Sequence, residues 1–433
     1  MNLLIRNGRI INPPKGIDLG GDVLIRDGKV AQVGGAVDVS QSEIPIFDAT
    51  GMIVCPGFVD IHCHLRQPGF EAKETIATGT AAAAAGGFTT VCCMPNTNPP
   101  IATKDVVWQV REIAGKEGRV RVLPIGCVTE ERRGEKLADL SALAKAGVVA
   151  FSDDGSPVHD SGIMRQALEC GKSLGLPIIN HCEDLSLSGN GLMNEGEVSA
   201  KLGYVGIPAV AEEHMVERDI ELARQTSGRL HIAHVSTAGS VELVRKAKQQ
   251  GIEVTAEVTP HHLTLTEEAV VTAGSAAKVN PPLRTEKERQ ALLDGLRNGT
   301  VDAIATDHAP HAKPDKNCAF SKAAFGISGF ETALGSLMAL VHRGELDLLT
   351  LISKLTVEPA KILGRSELGT LRVGLPADII VFDPNLQWTV DPEIFASKGQ
   401  NTPLAGNMLK GRIVITIAGG ELVHKNTPDL SLI

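Results

Sequence analysis

Histidines and carboxylates recur along this chain at wide but patterned intervals: His62-Cys-His64, Asp153-Asp154, His181-Cys-Glu183-Asp184, His234 and Asp307-His308. His62 and His64 close an apolar run that begins Pro56-Gly57-Phe58-Val59-Asp60. Residues two apart on a strand share a side, so both imidazoles can bind one cation. Alone, such a pair is also compatible with two solvent-facing histidines. His181 and His234, each taken singly, would read as hydrogen-bonded core residues. Taken together with Asp307, the four histidines sit at the C-terminal ends of four apolar runs, and the joint set reads as a metal centre. His231 has the parity opposite to His234 and is expected to face the helices.

A second cation needs a bridging anion, and a carboxylate is hard, anionic and bidentate. Asp154 is the expected bridge. Asp153 is the runner-up, with a competing role in capping a loop or binding a ligand. Strand alternation does not decide between them, because a turn begins at Gly155. Two cations about 3.5–4 Å apart would acidify a shared water. Asp307 would orient that water, take its proton and deliver it to a leaving nitrogen. This is the chemistry of amide hydrolysis. Four imidazoles and two carboxylates favour Zn2+, two per chain, with Mn or Co as alternatives.

Positioning these groups takes a particular framework. Apolar, β-branched runs recur at 58–61, 89–94, 120–125, 148–151, 177–180, 230–233, 253–258 and 303–305. Helix-length segments separate most of them: 73–85, 104–116, 163–174, 211–226, 240–250 and 286–297. Eight strands alternating with helices over about 250 residues is the α/β pattern of a (β/α)8 TIM barrel, whose sites lie at the C-terminal ends of the strands. Residues 1–55 and 366–433 instead show short strands and turns, with Gly419-Gly420 as a hairpin signal. They are expected to form a small composite β-sandwich beside a barrel spanning 56–365.

Composition narrows the function. The chain has 433 residues, 42 Lys+Arg against 51 Asp+Glu and a net charge of −9, which argues against a nucleic-acid surface. Aromatics are 3% of the chain, poor material for stacking bases. No apolar window is long enough to span a membrane. The eight cysteines form no C-x-x-C pair, and the N-terminus lacks a cleavable leader pattern, so reduced thiols and a cytoplasmic location are expected. Cys182 is expected to be an inert core thiol rather than a zinc ligand. A homo-oligomer is the default expectation.

Several segments resemble the amidohydrolase superfamily and, within it, the class I dihydroorotases. They are Asp60-Ile-His-Cys-His-Leu-Arg-Gln-Pro-Gly69, Gly86-Gly-Phe-Thr-Thr-Val91, Met94-Pro-Asn-Thr97, Phe151-Ser-Asp-Asp-Gly155, His181-Cys-Glu-Asp184, His234-Val-Ser236, Glu257-Val-Thr-Pro-His-His262, Asn280-Pro-Pro-Leu-Arg284 and Ala305-Thr-Asp-His-Ala-Pro-His311. The resemblance covers nearly the whole chain. It implies that His62, His64 and Asp307 hold one Zn2+, that His181 and His234 hold the second, and that Asp154 bridges. It also implies that Arg66, Asn96 and Asn280 bind a substrate carboxylate and ring amide, that His64 and His311 assist, and that Phe325-Gly326 contact the ring through backbone groups. The implied reaction is reversible cyclisation of N-carbamoyl-L-aspartate to L-dihydroorotate, in pyrimidine biosynthesis.

Arg66 has a physical rationale here, since a guanidinium fork suits a carboxylate. Its competing role is an ion pair with Glu71 or Glu74. Asn96 and Asn280 precede Pro-rich turns and could merely shape them. Hydantoinase- and allantoinase-like relatives generally lack this arginine and use a bridging carboxylated lysine on strand four; Val149-Ala-Phe-Ser-Asp-Asp154 contains none. The competing class is a scaffold partner of aspartate transcarbamoylase, which in some family members has lost its metal ligands; an active enzyme can also associate with that partner. Residues 309–326 show no helix pattern and are expected to form a lid.

Overall fold

A computed structural model describes residues 1–38 and 44–426. The expected end segments 1–55 and 366–433 therefore each include a stretch outside the described residues.

The barrel strands are β6 (Phe58–Cys63), β7 (Phe88–Cys93), β8 (Arg121–Pro124), β9 (Phe151–Ser152), β10 (Ile178–Asn180), β13 (Leu230–Ile232), β14 (Val254–Val258) and β15 (Ala303–Ile304). They are numbered within the whole chain. β1 (Leu3–Asn12), β2 (Ile17–Arg26), β3 (Lys29–Val33), β4 (Ile46–Asp48) and β5 (Ile53–Pro56) precede them. The short pair β11 (Met193–Asn194) and β12 (Gly206–Ile207) lies in an excursion after β10. All eight barrel strands are parallel to their neighbours, in two hydrogen-bonded arcs, β6-β7-β8 and β9-β10-β13-β14-β15. Single parallel bridges join the arcs, Gly126 to Phe151 on one side and Cys63 to His308 on the other. On the second seam the buried carboxylate of Asp60 accepts from the Thr306 amide and hydroxyl, at 3.0 and 2.6 Å.

A packing helix follows each strand, with shorter helical turns in some of the connections: α1 (Ile76–Ala85), α2 (Lys104–Glu117), α3 (Leu140–Ala146), α4 (Ser161–Leu174), α5 (Ala209–Thr226), α6 (Ala238–Gln249), α7 (Glu286–Arg297) and α8 (Phe330–His342). Their starts are encoded locally. Thr75, Thr103, Asp139, Asp160 and Thr237 each accept a backbone N–H of the first turn. The αL glycines Gly147 and Gly175 terminate α3 and α4.

Two apolar layers result. The outer one, between strands and helices, is built on Phe58, Phe88, Phe151, Leu230 and Ile232. The lumen holds smaller or narrower side chains, including Val59, Ile61, Ala150, Ile179, Ala233, Ala303 and Ala305. Ala360, Ile362, Leu363 and Leu368 plug its floor. The clustered histidines and aspartates gather at the opposite mouth.

The two chain ends combine into one continuous sheet with β16 (Ile379–Thr389), β17 (Met408–Ala418) and β18 (Glu421–Lys425). The order is β18-β17-β16-β5-β1-β2-β3, with β4 also on β1. Leu3, Ile5, Val23, Ile25, Val54, Val381, Ile415 and Ile417 share its core. Buried Asn12 ties the ends further, exchanging hydrogen bonds of 3.2 Å with both backbone groups of Leu371. Asn12→Ala removes both and strands a buried N–H and C=O. It should cost about 1–3 kcal/mol and lower the midpoint of thermal unfolding followed by circular dichroism.

Candidate active site and metal centre

Asp154 lies at the mouth of the barrel, facing four imidazoles. Its Oδ1 is 3.5 Å from His62 Nε2, 3.5 Å from His234 Nε2 and 3.7 Å from His181 Nδ1. Its Oδ2 is 3.5 Å from His64 Nε2. Asp307 Oδ1 stands 3.0 Å from His64 Nε2 and 3.5 Å from His62 Nε2. Two overlapping sets, His62–His64–Asp154 and Asp154–His181–His234, each bring their donor atoms within 4.8 Å of one another. His62 Nε2 and Asp154 Oδ1 are both buried without a hydrogen-bond partner. Burying such atoms unsatisfied is costly, and a divalent cation between them would satisfy both. The residues present therefore fit a metal.

The electrostatics point the same way. Burial opposes the charge on Asp154, but the charge of His62 and the adjoining His234 imidazole outweigh it and hold the carboxyl well below the usual range. Asp307 is likewise held low against burial, chiefly by the hydrogen bond from His64 and the charge of His62. Burial disfavours a charged His62, yet Asp154 and Glu257 raise its pKa well above normal. Asp154 and His62 thus each favour the charged form of the other.

Three of the four imidazoles are aimed from behind. Glu257 Oε1 takes His62 Nδ1 at 2.5 Å, and its Oε2 takes His231 Nε2 at 3.1 Å. Despite complete burial, His62 and His231 bring the Glu257 carboxyl down to about 2. Asn96 Oδ1 meets His64 Nδ1 at 2.9 Å, and Glu183 Oε2 meets His181 Nε2 at 3.1 Å. Such outer partners fix ring orientation in metal sites.

The parity expected for His231 is corrected here. It does not face the helices; it lies in the barrel interior, bound to Glu257 and to Thr255 Oγ1 at 2.8 Å. The regular strand ends at Ile232, and His234 follows it with φ +30°, so alternation does not carry across. Asp153 faces away from the imidazoles. Its Oδ1 accepts from the amides of Val128 and Thr129 at 2.9 and 3.2 Å.

A cavity of about 250 Å³ opens above the cluster, lined by Arg66, Asn96, Asn280, His311, Phe325 and Gly326 among others. Arg66 is 3.2 Å from the Pro310 carbonyl and 3.5 Å from His311 Nε2, and burial lowers its pKa only to about 10. Among the described residues no carboxylate lies within 4.0 Å of it. Glu71 accepts the Gly69 amide instead, and Glu74 is taken by Thr78, His308 and Ser397. Asn280 donates to Glu183 at 2.9 Å. Burial, Arg66 and Lys73 push His311 down to about 3; its Nε2–H donates to the Phe325 carbonyl at 2.7 Å. The Gly326 amide donates to Lys278, and its carbonyl accepts from Lys316 and Asn401. Phe325 and Gly326 thus border the cavity with much of their hydrogen-bonding capacity already used.

The 309–326 segment departs from its expected lack of helix, containing the one-turn helix Lys313–Lys316. Lys316, buried, donates to the carbonyls of Lys278, Ala324 and Gly326. Its sequence hid the helix because four residues are too few for a periodic signal.

Sequence reasoning also missed Arg132, which lines the cavity and donates through Nε and Nη2 to the Asp153 carbonyl at 3.2 and 3.0 Å. Within Glu130-Glu-Arg-Arg133 it reads as a solvated charge run. Glu257 did leave a signal: a carboxylate inside an apolar strand needs a partner. Among the described residues eight non-glycine positions have positive φ, and four of these, Arg66, Arg132, His234 and Asp307, line the cavity. Strained backbone is concentrated at the mouth.

Residues 51–240 match the family model described as dihydro-orotase-like, and residues 207–424 match that of the amidohydrolase family. Dihydroorotases of Thermoanaerobacter sp. (strain X514) and Pelotomaculum thermopropionicum are each 51% identical over 98% of this chain, covering 98% and 99% of their own lengths. Among solved structures, an L-hydantoinase from Arthrobacter aurescens superposes with a TM-score of 0.88 at 28% identity, covering 98% of this chain and 96% of that one. A dihydropyrimidinase from Brevibacillus agri gives 0.85 at 25% identity, with 98% and 95% covered.

Glu257→Gln keeps the shape but weakens the grip on His62. It should reduce metal affinity about 10–100-fold in competition with a chromophoric chelator.

Proposed function

The chain belongs to the dihydroorotase family of metal-dependent amidohydrolases, and from that premise we propose how its residues interconvert N-carbamoyl-L-aspartate and L-dihydroorotate. The observation that carries the reading is an arginine without a carboxylate partner, Arg66, beside a cluster of four histidines and two aspartates in one cavity. A buried guanidinium held only by neutral groups calls for an anion. A cyclic ureide bearing a carboxylate supplies one; hydantoin and dihydrouracil do not.

His62, His64 and Asp307 would hold one cation, His181 and His234 a second, and Asp154 both. The donor set suits zinc. Bound there, such cations polarise the scissile carbonyl and acidify water. Arg66 grips the ring carboxylate, with Asn96 and Asn280 at the ring amide, and this fixes which carbonyl faces the cluster. In ring closure the ureido nitrogen attacks the side-chain carboxyl carbon. The C–N bond forms, the C–O bond breaks and water leaves. Asp307, ionised in this site, takes the proton from the nitrogen and passes it to the departing oxygen, which leaves as water with a second proton from solvent. Ring opening runs the same steps backwards. His311 and the 309–326 segment cover the substrate and restrict water at the reacting bond.

The full complement of cluster residues favours catalysis over a purely scaffolding role beside aspartate transcarbamoylase, and association with that partner is compatible with an active barrel. All eight cysteines are free thiols, in keeping with a reducing, cytoplasmic setting. No helix among the described residues is long and apolar enough to cross a membrane.

The test is a panel of L-dihydroorotate, dihydrouracil, hydantoin and allantoin on the zinc-reconstituted protein. Turnover confined to dihydroorotate is expected; turnover of the uncharged ureides would remove Arg66 from the specificity argument. Asp307→Ala should lower kcat by at least about 10²-fold while most metal stays bound, checked by metal analysis of the same sample. Arg66→Met should raise the KM for dihydroorotate about 10–100-fold, the worth of a charged hydrogen-bonded contact.

A further inference from the structure

The barrel does not hold its substrate loop unaided. Between β16 and β17 the chain leaves the appended sheet and runs back across the mouth of the barrel. Glu331, at the start of α8, accepts the amides of Ala396 and Ser397 at 2.8 and 3.3 Å. Glu74 accepts the Ser397 hydroxyl and the Lys398 amide. Gly399 then lies flush on Pro310: a Cβ added there would come within 2.3 Å of the Pro310 Cβ. The strap ends its crossing at Asn401, which is 7% exposed.

The Asn401 amide uses its whole hydrogen-bonding capacity on one target. Nδ2 donates to the carbonyls of Ala309 and Gly326, each at 3.0 Å. Oδ1 accepts from the His311 amide and the Ser328 hydroxyl, each at 2.9 Å. The Asn401 carbonyl accepts the Ser328 amide at 2.9 Å. The amide orientation is fixed by these partners, since reversing it would set oxygen against two carbonyls. Ala309 and Gly326 are the two ends of the segment over the cavity, so one side chain cross-links both ends and also fixes the backbone of His311.

We propose that Asn401, a residue of the C-terminal strap outside the barrel, is a positioning residue for substrate binding that holds His311 and the Phe325-Gly326 turn in register with Arg66. This rests on the reading that the 309–326 segment touches substrate. Asn401 acts through that segment and bears no chemistry of its own.

Steady-state kinetics of Asn401→Ala in the full-length, metal-loaded protein test it. The KM for L-dihydroorotate should rise about tenfold or more, with kcat changed much less and bound metal unchanged, because misplacing a binding loop by a fraction of an ångström is costly. Asn401→Asp, which sets a carboxylate against two carbonyls, should not rescue it. If Asn401→Ala fails to fold, Gly399→Ala supplies the second arm. It lifts the strap from Pro310 without removing a polar group, and should raise KM in the same sense. A wild-type KM in the folded variant, with activity lost only in proportion to unfolded protein, overturns the proposal. His311→Ala separates the two levels. If it raises KM while the strap variants do not, the proposal alone falls; if it too leaves KM unchanged, the loop does not bind substrate and the proposal falls with that reading.

Discussion

A carboxylate buried as deeply as Asp154 is stable only where positive charge is brought to it, and the mouth of this barrel is organised around that demand. Four imidazoles converge on its two oxygens from three different strand ends. Behind them stand Glu257, Asn96 and Glu183, each fixing a ring from its far nitrogen. Behind the carboxylate itself, Asp153 and Arg132 lock the turn in both directions, one through its carboxyl and the other onto the Asp153 carbonyl. Remove the central charge and these layers have no common target. The same preorganisation lets fixed groups, rather than mobile water, meet the charge of the reacting bond.

Much of this was legible in the sequence because two rules of different range agree. The alternation of apolar runs and helical segments gives the barrel, and barrel strands place their C-terminal ends together. Residues 62, 64, 154, 181, 234 and 307 are therefore neighbours despite their separation in the chain. Alternation failed where strands stop being regular. His231 lies inside because His234 has already left the strand. Arg132 was invisible because its role depends on a loop conformation with positive φ, which its neighbouring charges do nothing to announce. Asn401 was invisible for a different reason: all its partners lie 73 to 92 residues away, and a single asparagine has no period.

The appended sheet is more than a lid on the barrel's flank. Its connection between β16 and β17 supplies Ser397 to Glu74 and Asn401 to the loop, while Thr416 of β17 donates to the Ala84 carbonyl at the end of α1. Cohesion between the two parts thus runs through directional polar contacts as well as through apolar packing. Function sits on the barrel, but the geometry of its mouth is shared between both.

The interleaving of the two chain ends in one sheet also sets the order in which the molecule can be built. β5 lies between β1 and β16, and Asn12 waits for Leu371, 359 residues downstream. At roughly 5–20 residues per second of synthesis, that is on the order of 20–70 s during which the first strands can pair among themselves while the second edge of β5 lacks its partner β16. An unpaired strand edge is a template for adventitious pairing. Until β16 emerges that one edge of β5 stays open, so the window for adventitious pairing is set by the topology of the molecule's smallest part.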